Sequence, residues 1–243
     1  MAVPHGLLLP DHGADVGFRR GVGNDSSDRG RSCRQGRESG VRALPAAPGH
    51  HAYANRAGGF CYLNNTALAA QYLRPTHERG VILDIGVHHG NGTQGIFYRR
   101  ADVPTVSVHA DPLDYNPFYW GGAGGHGEDA GQGFNHDLPV AIGSGDDAWR
   151  AALEGAPEHI QSYAPKALVI ALGLDAHESD PLHGGKVTQA GFARIAEDIA
   201  SLSLATVIVQ EGGYLTEHLA DNLAMFLAAY EGALELPVKT PEP

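Results

Sequence analysis

The stretch Val-Ile-Leu-Asp-Ile-Gly-Val-His-His-Gly-Asn-Gly, at residues 81–92, decides the fold class of the chain. Its first seven residues form an apolar run that predicts a buried β-strand. Side chains alternate between the two faces of a strand, so positions 84, 86 and 88 are predicted to point the same way. Asp84 and His88 would then share one face at the strand end, where α/β proteins bind their ligands. Gly86 lies between them and brings no side chain.

Further apolar runs and helical patterns alternate along the chain. Residues 167–172 and 205–209 suit buried parallel strands, and a shorter β-branched run occupies residues 105–108. Helical periodicity is found at residues 64–74, where Pro75 is expected to end the helix, and at residues 146–163, 189–202 and 215–234. This order predicts an α/β fold with a parallel sheet flanked by helices on both faces.

A long glycine-rich segment separates two of these elements. Residues 111–145 are expected to form a loop region, and loops of this length in compact domains are usually functional. The glycines at 121–127 do not open a strand–helix unit, so we do not expect a dinucleotide site there.

Polar residues that suit catalysis follow each of the three longer predicted strands. The carboxyl ends of parallel strands meet at one edge of a sheet, so these groups are expected to converge there. They are Asp84, His88 and His89 after the first run, Asp175 after the second, and Glu-Gly-Gly-Tyr at 211–214 after the third.

The residue types at this edge are compatible with a metal hydrolase. Imidazole and carboxylate groups together suit Zn²⁺, and a catalytic zinc takes three protein ligands and a water. His88 and Asp175 could supply two of the three. A histidine could take the proton of the water and a tyrosine hydroxyl could stabilise the oxyanion. The residues alone leave this hypothesis open, and His109 is predicted to be a packed strand-end residue rather than a ligand.

Composition excludes several classes of protein. The formal net charge is −11, which argues against a nucleic-acid partner, because phosphate binding needs clustered lysine and arginine. No apolar run approaches the length of a membrane span, and only Cys33 and Cys61 occur, so we expect a cytoplasmic protein without a membrane or disulfide framework. Residues 1–45 are irregular and are expected to form a disordered or aberrant segment before a domain at 46–243.

Five short motifs resemble those of a known family. They are Pro-Gly-His-His at 48–51, Gly-Gly-Phe-Cys-Tyr-Leu-Asn-Asn at 58–65, His-His-Gly-Asn-Gly-Thr-Gln at 88–94, Ser-Val-His with Asp-Pro at 107–112, and Glu-Gly-Gly-Tyr at 211–214. In this order and spacing they resemble the histone deacetylase superfamily, and within it the bacterial acetylpolyamine amidohydrolase branch. The resemblance implies the arginase–deacetylase architecture, apparently truncated at the N-terminus.

The resemblance implies a role in hydrolysis for individual residues. His51 matches the general base, His50 matches its electrostatic partner, and Tyr214 matches the residue that hydrogen-bonds the acetyl carbonyl. Asp84 and Asn91 match groups that orient the two histidines. Together these roles imply the release of acetate from an N-acetylated amine.

Metal and substrate positions are implied in the same way. The implied cofactors are Zn²⁺ and a structural potassium ion, and the implied partner is a small acetylated amine. The matching residues are His88 and Asp175 for zinc, Asp84, Ser107 and Val108 for potassium, and Phe60, Gly59 and Gly213 for the substrate.

One residue departs from the family pattern in the metal site. The pattern Asp-x-Asp-x-His-His-Gly has a zinc aspartate at its second acidic position, and Gly86 stands there. Losing an outer partner of a metal ligand costs roughly 10–100-fold in affinity or activity, and losing the ligand itself should cost at least as much.

These observations predict a zinc-dependent deacetylase of acetylpolyamine or acetyl-lysine type, which relatives suggest is a homodimer. The alternative is a catalytically impaired relative that binds acylated ligands or a partner, and Gly86 favours it. A ureohydrolase with two manganese ions is disfavoured, because its paired Asp-x-Asp motifs are absent from the sequence.

Overall fold

A computed structural model describes residues 43–44 and 48–235 of the chain. All but residues 43–44 of the segment predicted to be irregular, 1–45, lie outside this description. The strands are β1 (Ala43–Leu44), β2 (Gly80–Ile85), β3 (Thr105–Ala110), β4 (Asn135–Val140), β5 (Ala167–Leu172) and β6 (Ala205–Gln210). The helices are α1 (Asn65–His77), α2 (Asn91–Phe97), α3 (Asp146–Glu154), α4 (Ala156–Ser162), α5 (Gln189–Ala200) and α6 (Leu219–Glu235), with a 3₁₀ turn at Asp129–Gly131.

The strands form one parallel sheet in the order β1-β6-β5-β2-β3-β4. Strands β2 and β5 lie at its centre, and every residue of both is buried, which explains why both are continuous apolar runs in the sequence. The predicted parallel α/β fold is therefore confirmed. Asp84 on β2 pairs in register with Ser107 on β3 and with Ala171 on β5.

Helices cover both faces of this sheet, and alternate strand residues supply the two cores. Ile82 and Val169 pack with α1 and α2 on one face. Leu83 and Ile170 pack on the other face with residues of α3 to α6. Neighbouring strand positions point to opposite faces, so alternate residues of one strand belong to the same core.

Three predicted helices have different boundaries in the structure. Pro75 does not end α1 but lies within its last turn, because it forfeits only its own N–H while the Glu78 amide still bonds the Arg74 carbonyl at 3.1 Å. The helix predicted at 146–163 is divided by Gly155 into α3 and α4, and Pro157 occupies the first turn of α4, where proline is tolerated. Helix α6 begins at Leu219 rather than at residue 215.

The prediction of a loop throughout residues 111–145 is wrong, because strand β4 lies inside that segment. Its sequence, Asn-His-Asp-Leu-Pro-Val, has neither an apolar run nor strict alternation. Among the described residues the strand pairs only with β3, at the edge of the sheet, where Pro139 needs no ladder hydrogen bond on its outer side. Strand β2, predicted to reach residue 87, ends at Ile85, so strand alternation does not set the direction of His88.

None of the helices in residues 48–235 combines the length and the apolar character that crossing a lipid bilayer requires.

Candidate active site

The polar groups predicted to converge do meet at the carboxyl edge of the sheet. Strands β6, β5 and β2 are neighbours, and the residues that follow them contact one another. His88, after β2, places its Nδ1 2.8 Å from Oδ2 of Asp175, which follows β5. The amide of Val87 donates to the other carboxylate oxygen of Asp175 at 2.8 Å. Both side chains are buried.

The Asp175 carboxylate is held in its charged form by these contacts. Burial alone would raise its pKa, but the hydrogen bond and charge of His88 and the bond from the Val87 amide outweigh it and hold the pKa below the usual range. The side chain therefore presents an anionic oxygen next to an imidazole nitrogen. This is the donor chemistry that suits Zn²⁺.

Gly86 supplies no third ligand and leaves little room for one. Its φ is 155°, and a Cβ placed on it would lie 2.8 Å from the Cα of Gly173 and 3.0 Å from Oδ1 of Asp175. A side chain here therefore requires the two strand ends to move apart. His88 and Asp175 fit a zinc ion in donor type and direction, with one protein ligand fewer than a catalytic zinc usually takes.

His50 lies beside this pair and forms a buried contact with Asp84. Its Nδ1 is 3.0 Å from Oδ2 of Asp84. Burial lowers the pKa of His50, but Asp84 and Glu211 outweigh that effect and raise it to about 9. His50 is therefore a cation at neutral pH.

Glu211 is the anchor of the histidine pair, a role that its place in the Glu-Gly-Gly-Tyr motif at 211–214 did not predict. Its Oε2 accepts the backbone N–H of Gly49 at 2.5 Å and that of His50 at 3.0 Å. Its Oε1 accepts the hydroxyl of Thr66 on α1 at 2.5 Å. The acid directly after β6 was the only signal in the sequence, and it does not reveal partners about 160 residues away.

His51 has the opposite protonation state from His50. Its Nδ1 is 2.7 Å from Oδ1 of Asn91, and an amide oxygen only accepts, so Nδ1 carries the proton and Nε2 has a free lone pair. Burial and the charge of His50, whose ring centre is 4.4 Å away, lower the pKa of His51 to about 3. His51 is therefore neutral and able to accept a proton.

Tyr214 completes the group of residues around His88. Their ring centres are 6.2 Å apart, and burial raises the pKa of the Tyr214 hydroxyl to about 12, so it stays a proton donor. The backbone N–H of Tyr214 donates to Oδ2 of Asp180 at 3.0 Å. Asp180 is buried and was not singled out in the sequence analysis.

The residues predicted for substrate lie around the mouth of this site. Gly59 packs against the imidazole of His51, and Phe60, the next residue, is 90% exposed. Gly213 precedes Tyr214 with a φ of 132°. Their roles in substrate binding stay predictions.

The potassium assignment also stays a prediction. Asp84 and Ser107 are register partners on β2 and β3, and Val108 follows Ser107 on the same strand. The Ser107 hydroxyl contacts two histidines, His89 and His109, at 3.1 and 2.8 Å.

Comparison with known proteins agrees with this geometry. Residues 32–230 match the sequence profile described as the histone deacetylase domain. The chain belongs to the histone deacetylase family. Within that family it is 47% identical over 201 residues to acetylpolyamine amidohydrolase 1 of Pseudomonas aeruginosa, which covers 82% of this chain and 58% of the relative.

Two further comparisons place this family member in the acetylpolyamine amidohydrolase-like branch. It is 46% identical over 192 residues to an acetylpolyamine amidohydrolase of Burkholderia pseudomallei, covering 79% of this chain and 56% of the relative. A crystal structure of an acetylpolyamine aminohydrolase from the same organism superposes with a TM-score of 0.76 at 44% identity, over 80% of this chain and 57% of that one. The chain thus spans somewhat more than half the length of these relatives.

Proposed function

We propose that the chain hydrolyses the amide bond of N-acetylated amines, with acetylated polyamines favoured over acetyl-lysine in protein. The observation that supports this most strongly is the tandem histidine pair, in which His50 is a cation and His51 is neutral, beside Tyr214. One base, one fixed positive charge and one hydroxyl donor are the groups that amide hydrolysis requires. The similarity to acetylpolyamine amidohydrolases supports the choice of substrate class.

The roles of the histidines and the tyrosine follow from their protonation states. His51 accepts the proton of the attacking water at Nε2, because Asn91 holds its Nδ1–H. Protonated His51 is then adjacent to the cation of His50, whose charge Asp84 and Glu211 balance. The histidine pair is therefore able to return a proton to the leaving amine. Tyr214 donates its hydroxyl proton to the oxyanion that develops on the acetyl carbonyl.

Zinc dependence is part of the proposal. His88 and Asp175 would hold the ion, with water in place of a third protein ligand at Gly86. A bound Zn²⁺ polarises the acetyl carbonyl and lowers the pKa of a water molecule. A homodimer, a cytoplasmic location and the absence of nucleic-acid and membrane partners remain predictions from the sequence.

Gly86 favours a second candidate, a catalytically impaired relative that binds acylated ligands or a partner without hydrolysing them. A site with two protein ligands binds zinc more weakly than one with three, and the close approach of Gly173 leaves little room for a side chain at position 86.

Acetate release from an N-acetylated polyamine with added Zn²⁺ tests the proposal. We expect His51→Ala and Tyr214→Phe each to lower turnover at least tenfold, since general-base and oxyanion groups typically contribute 10² or more. His77→Ala, at the end of α1, is the matched control and should leave turnover unchanged. Equal rates in His51→Ala, Tyr214→Phe and the parent chain would disprove the assigned roles. No acetate from a folded, zinc-loaded parent chain would favour the impaired relative.

A further inference from the structure

A second cluster of imidazole and carboxylate groups lies next to the site described above. His89 follows β2, His109 lies on β3 and Asp137 lies on β4, and all three side chains are buried. Ser107 pairs in register with Asp137 and is two residues from His109, so the side chains of Ser107, His109 and Asp137 share one face of the sheet. One donor atom from each of His89, His109 and Asp137 lies within 4.8 Å of the other two.

The hydrogen bonds at the far side of each ring define which nitrogen faces the cluster. Nε2 of His89 is 3.0 Å from Oε1 of Gln94, and Nε2 of His109 is 2.9 Å from the carbonyl oxygen of Gly121. Both oxygens only accept, so each Nε2 carries a proton and each neutral ring directs an Nδ1 lone pair inward. Both Nδ1 atoms face the single hydroxyl proton of Ser107, at 3.1 and 2.8 Å.

Asp137 adds a third acceptor to this group. Its Oδ2 accepts the side-chain amides of Gln94 at 2.7 Å and Asn135 at 3.0 Å. Its Oδ1 is buried, has no hydrogen-bond partner among the described residues, and lies 3.8 Å from Nδ1 of His89. The two Nδ1 atoms thus share one hydroxyl proton and Oδ1 of Asp137 receives none, and leaving a buried acceptor unsatisfied costs about 1–3 kcal/mol. A cation bound between them would satisfy all three.

We propose that His89, His109 and Asp137 form a second metal site, for a divalent transition-metal ion of the Zn²⁺ class. The ligands are Nδ1 of the two histidines and Oδ1 of Asp137. Ligands about 2.1 Å from a tetrahedral ion lie about 3.4 Å apart, close to the 3.8 Å between His89 and Asp137. The Ser107 oxygen adjoins both nitrogens and is available as a fourth donor.

The surroundings of the cluster resemble those that orient metal ligands. Each histidine donates its outer N–H to a carbonyl oxygen, and the outer carboxylate oxygen of Asp137 is hydrogen-bonded twice. Outer partners of this kind fix the tautomer and direction of a ligand. The glycine-rich loop at residues 121–127 covers the histidines. Gly121 has a φ of 94°, and a Cβ on it would lie 2.7 Å from Nε2 of His109.

A cavity borders the cluster at one of its three members, Asp137. This cavity, of about 590 Å³, lies under the glycine-rich loop and is lined by Asp137, Gln94, Gly121, Gly125, Tyr53 and Trp120. An entry path is one of the requirements of a metal site. The proposal does not depend on the proposed hydrolysis, since none of its three ligands belongs to the His88–Asp175 pair.

The test measures Zn²⁺ binding to the full chain by chelator competition, after removal of bound metal. Asp175→Asn removes a ligand of the other site and should leave one tightly bound ion. Adding Asp137→Asn, which keeps the size of the side chain, should weaken binding of that ion at least tenfold. His136 and His159 stack with ring centres 3.9 Å apart, which makes them an alternative zinc-binding pair outside the cluster. His159→Ala is therefore the control for zinc bound there.

Either of two results would overturn the proposal. One is the loss of all tightly bound zinc in folded Asp175→Asn, and the other is unchanged affinity in the variant that also carries Asp137→Asn. A readout that does not need Asp137→Asn to fold is the thermal midpoint of Asp175→Asn. Added Zn²⁺ should raise it if the second site exists, and no shift would contradict the site.

Discussion

Raising the pH is expected to destabilise the metal-free chain, because His50 keeps its proton in the folded state. Burial lowers its pKa, but Asp84 and Glu211 outweigh burial and raise the pKa from 6.5 to about 9. A histidine in the unfolded chain titrates near its ordinary value, about 6.5. Between these two values the folded state binds one more proton than the unfolded state. The free energy of unfolding therefore falls as the pH rises through this window.

The size of the effect follows from one proton. A difference of one bound proton changes the free energy of unfolding by about 1.4 kcal/mol per pH unit, which gives a fall of about 2 kcal/mol between pH 7 and pH 9. His51 and His109, whose pKa values are lowered to about 3 and about 4, each oppose this fall by only about 0.2 kcal/mol, because about a quarter of an unfolded histidine is still protonated at pH 7. Asp137 and Cys61, with pKa values raised to about 7 and about 11, each add less than about 0.5 kcal/mol.

Urea unfolding at pH 7, 8 and 9 with a chelator measures this slope. Asp84→Asn removes the carboxylate 3.0 Å from His50, so the pKa of His50 should fall towards 6.5 and most of the slope should disappear. Asp198→Asn, which removes a surface carboxylate paired with Arg150, is the control and should keep the parent slope. A parent stability that is flat or rises between pH 7 and pH 9 would refute the protonated state of His50. A slope unchanged by Asp84→Asn would show that Asp84 is not the group that raises the pKa of His50.

Two further substitutions test the residues that hold the His50–His51 pair and the His89–His109–Asp137 cluster in place. Glu211→Ala leaves the N–H groups of Gly49 and His50 buried without their acceptor, so the free energy of unfolding should fall by about 2–6 kcal/mol, with the exposed Glu217→Ala as control. A loss below about 1 kcal/mol would contradict the anchoring role. Gly121→Ala should cost about 1–3 kcal/mol in urea unfolding, because of its φ of 94° and the contact with His109. Unchanged stability would show that the loop does not press on the histidines.

The central part of the fold was predictable because burial leaves a simple pattern. Strands β2 and β5 are buried on both faces, so each is a continuous apolar run with few alternative interpretations. Strand β4 was missed because an edge strand with polar and proline residues lacks that pattern. The division of the helix at Gly155 was missed for a similar reason. The apolar periodicity of 146–163 continues across the break and hides it.

The site was predictable where it depends on strand ends and on motifs. Asp175 and His88 were expected to meet because parallel strands end at one edge, and they do. The anchor Glu211 was not predictable, because its partners are backbone N–H groups far away in the sequence. His109 was expected to be packed, and the cluster it forms became visible only when β4 placed Asp137 beside it.

Acetate release from an N-acetylated polyamine, measured against Zn²⁺ concentration, tests zinc-dependent hydrolysis at the His88–Asp175 site. The parent chain is compared with Gly86→Asp and with Gly86→Asn, which has the same contact with Gly173 but no charge. We expect acetate release by the parent at saturating zinc. Gly86→Asp, and not Gly86→Asn, should lower the zinc concentration for half-maximal rate at least tenfold. No acetate from folded, zinc-loaded parent and Gly86→Asp chains would contradict zinc-dependent hydrolysis at this site.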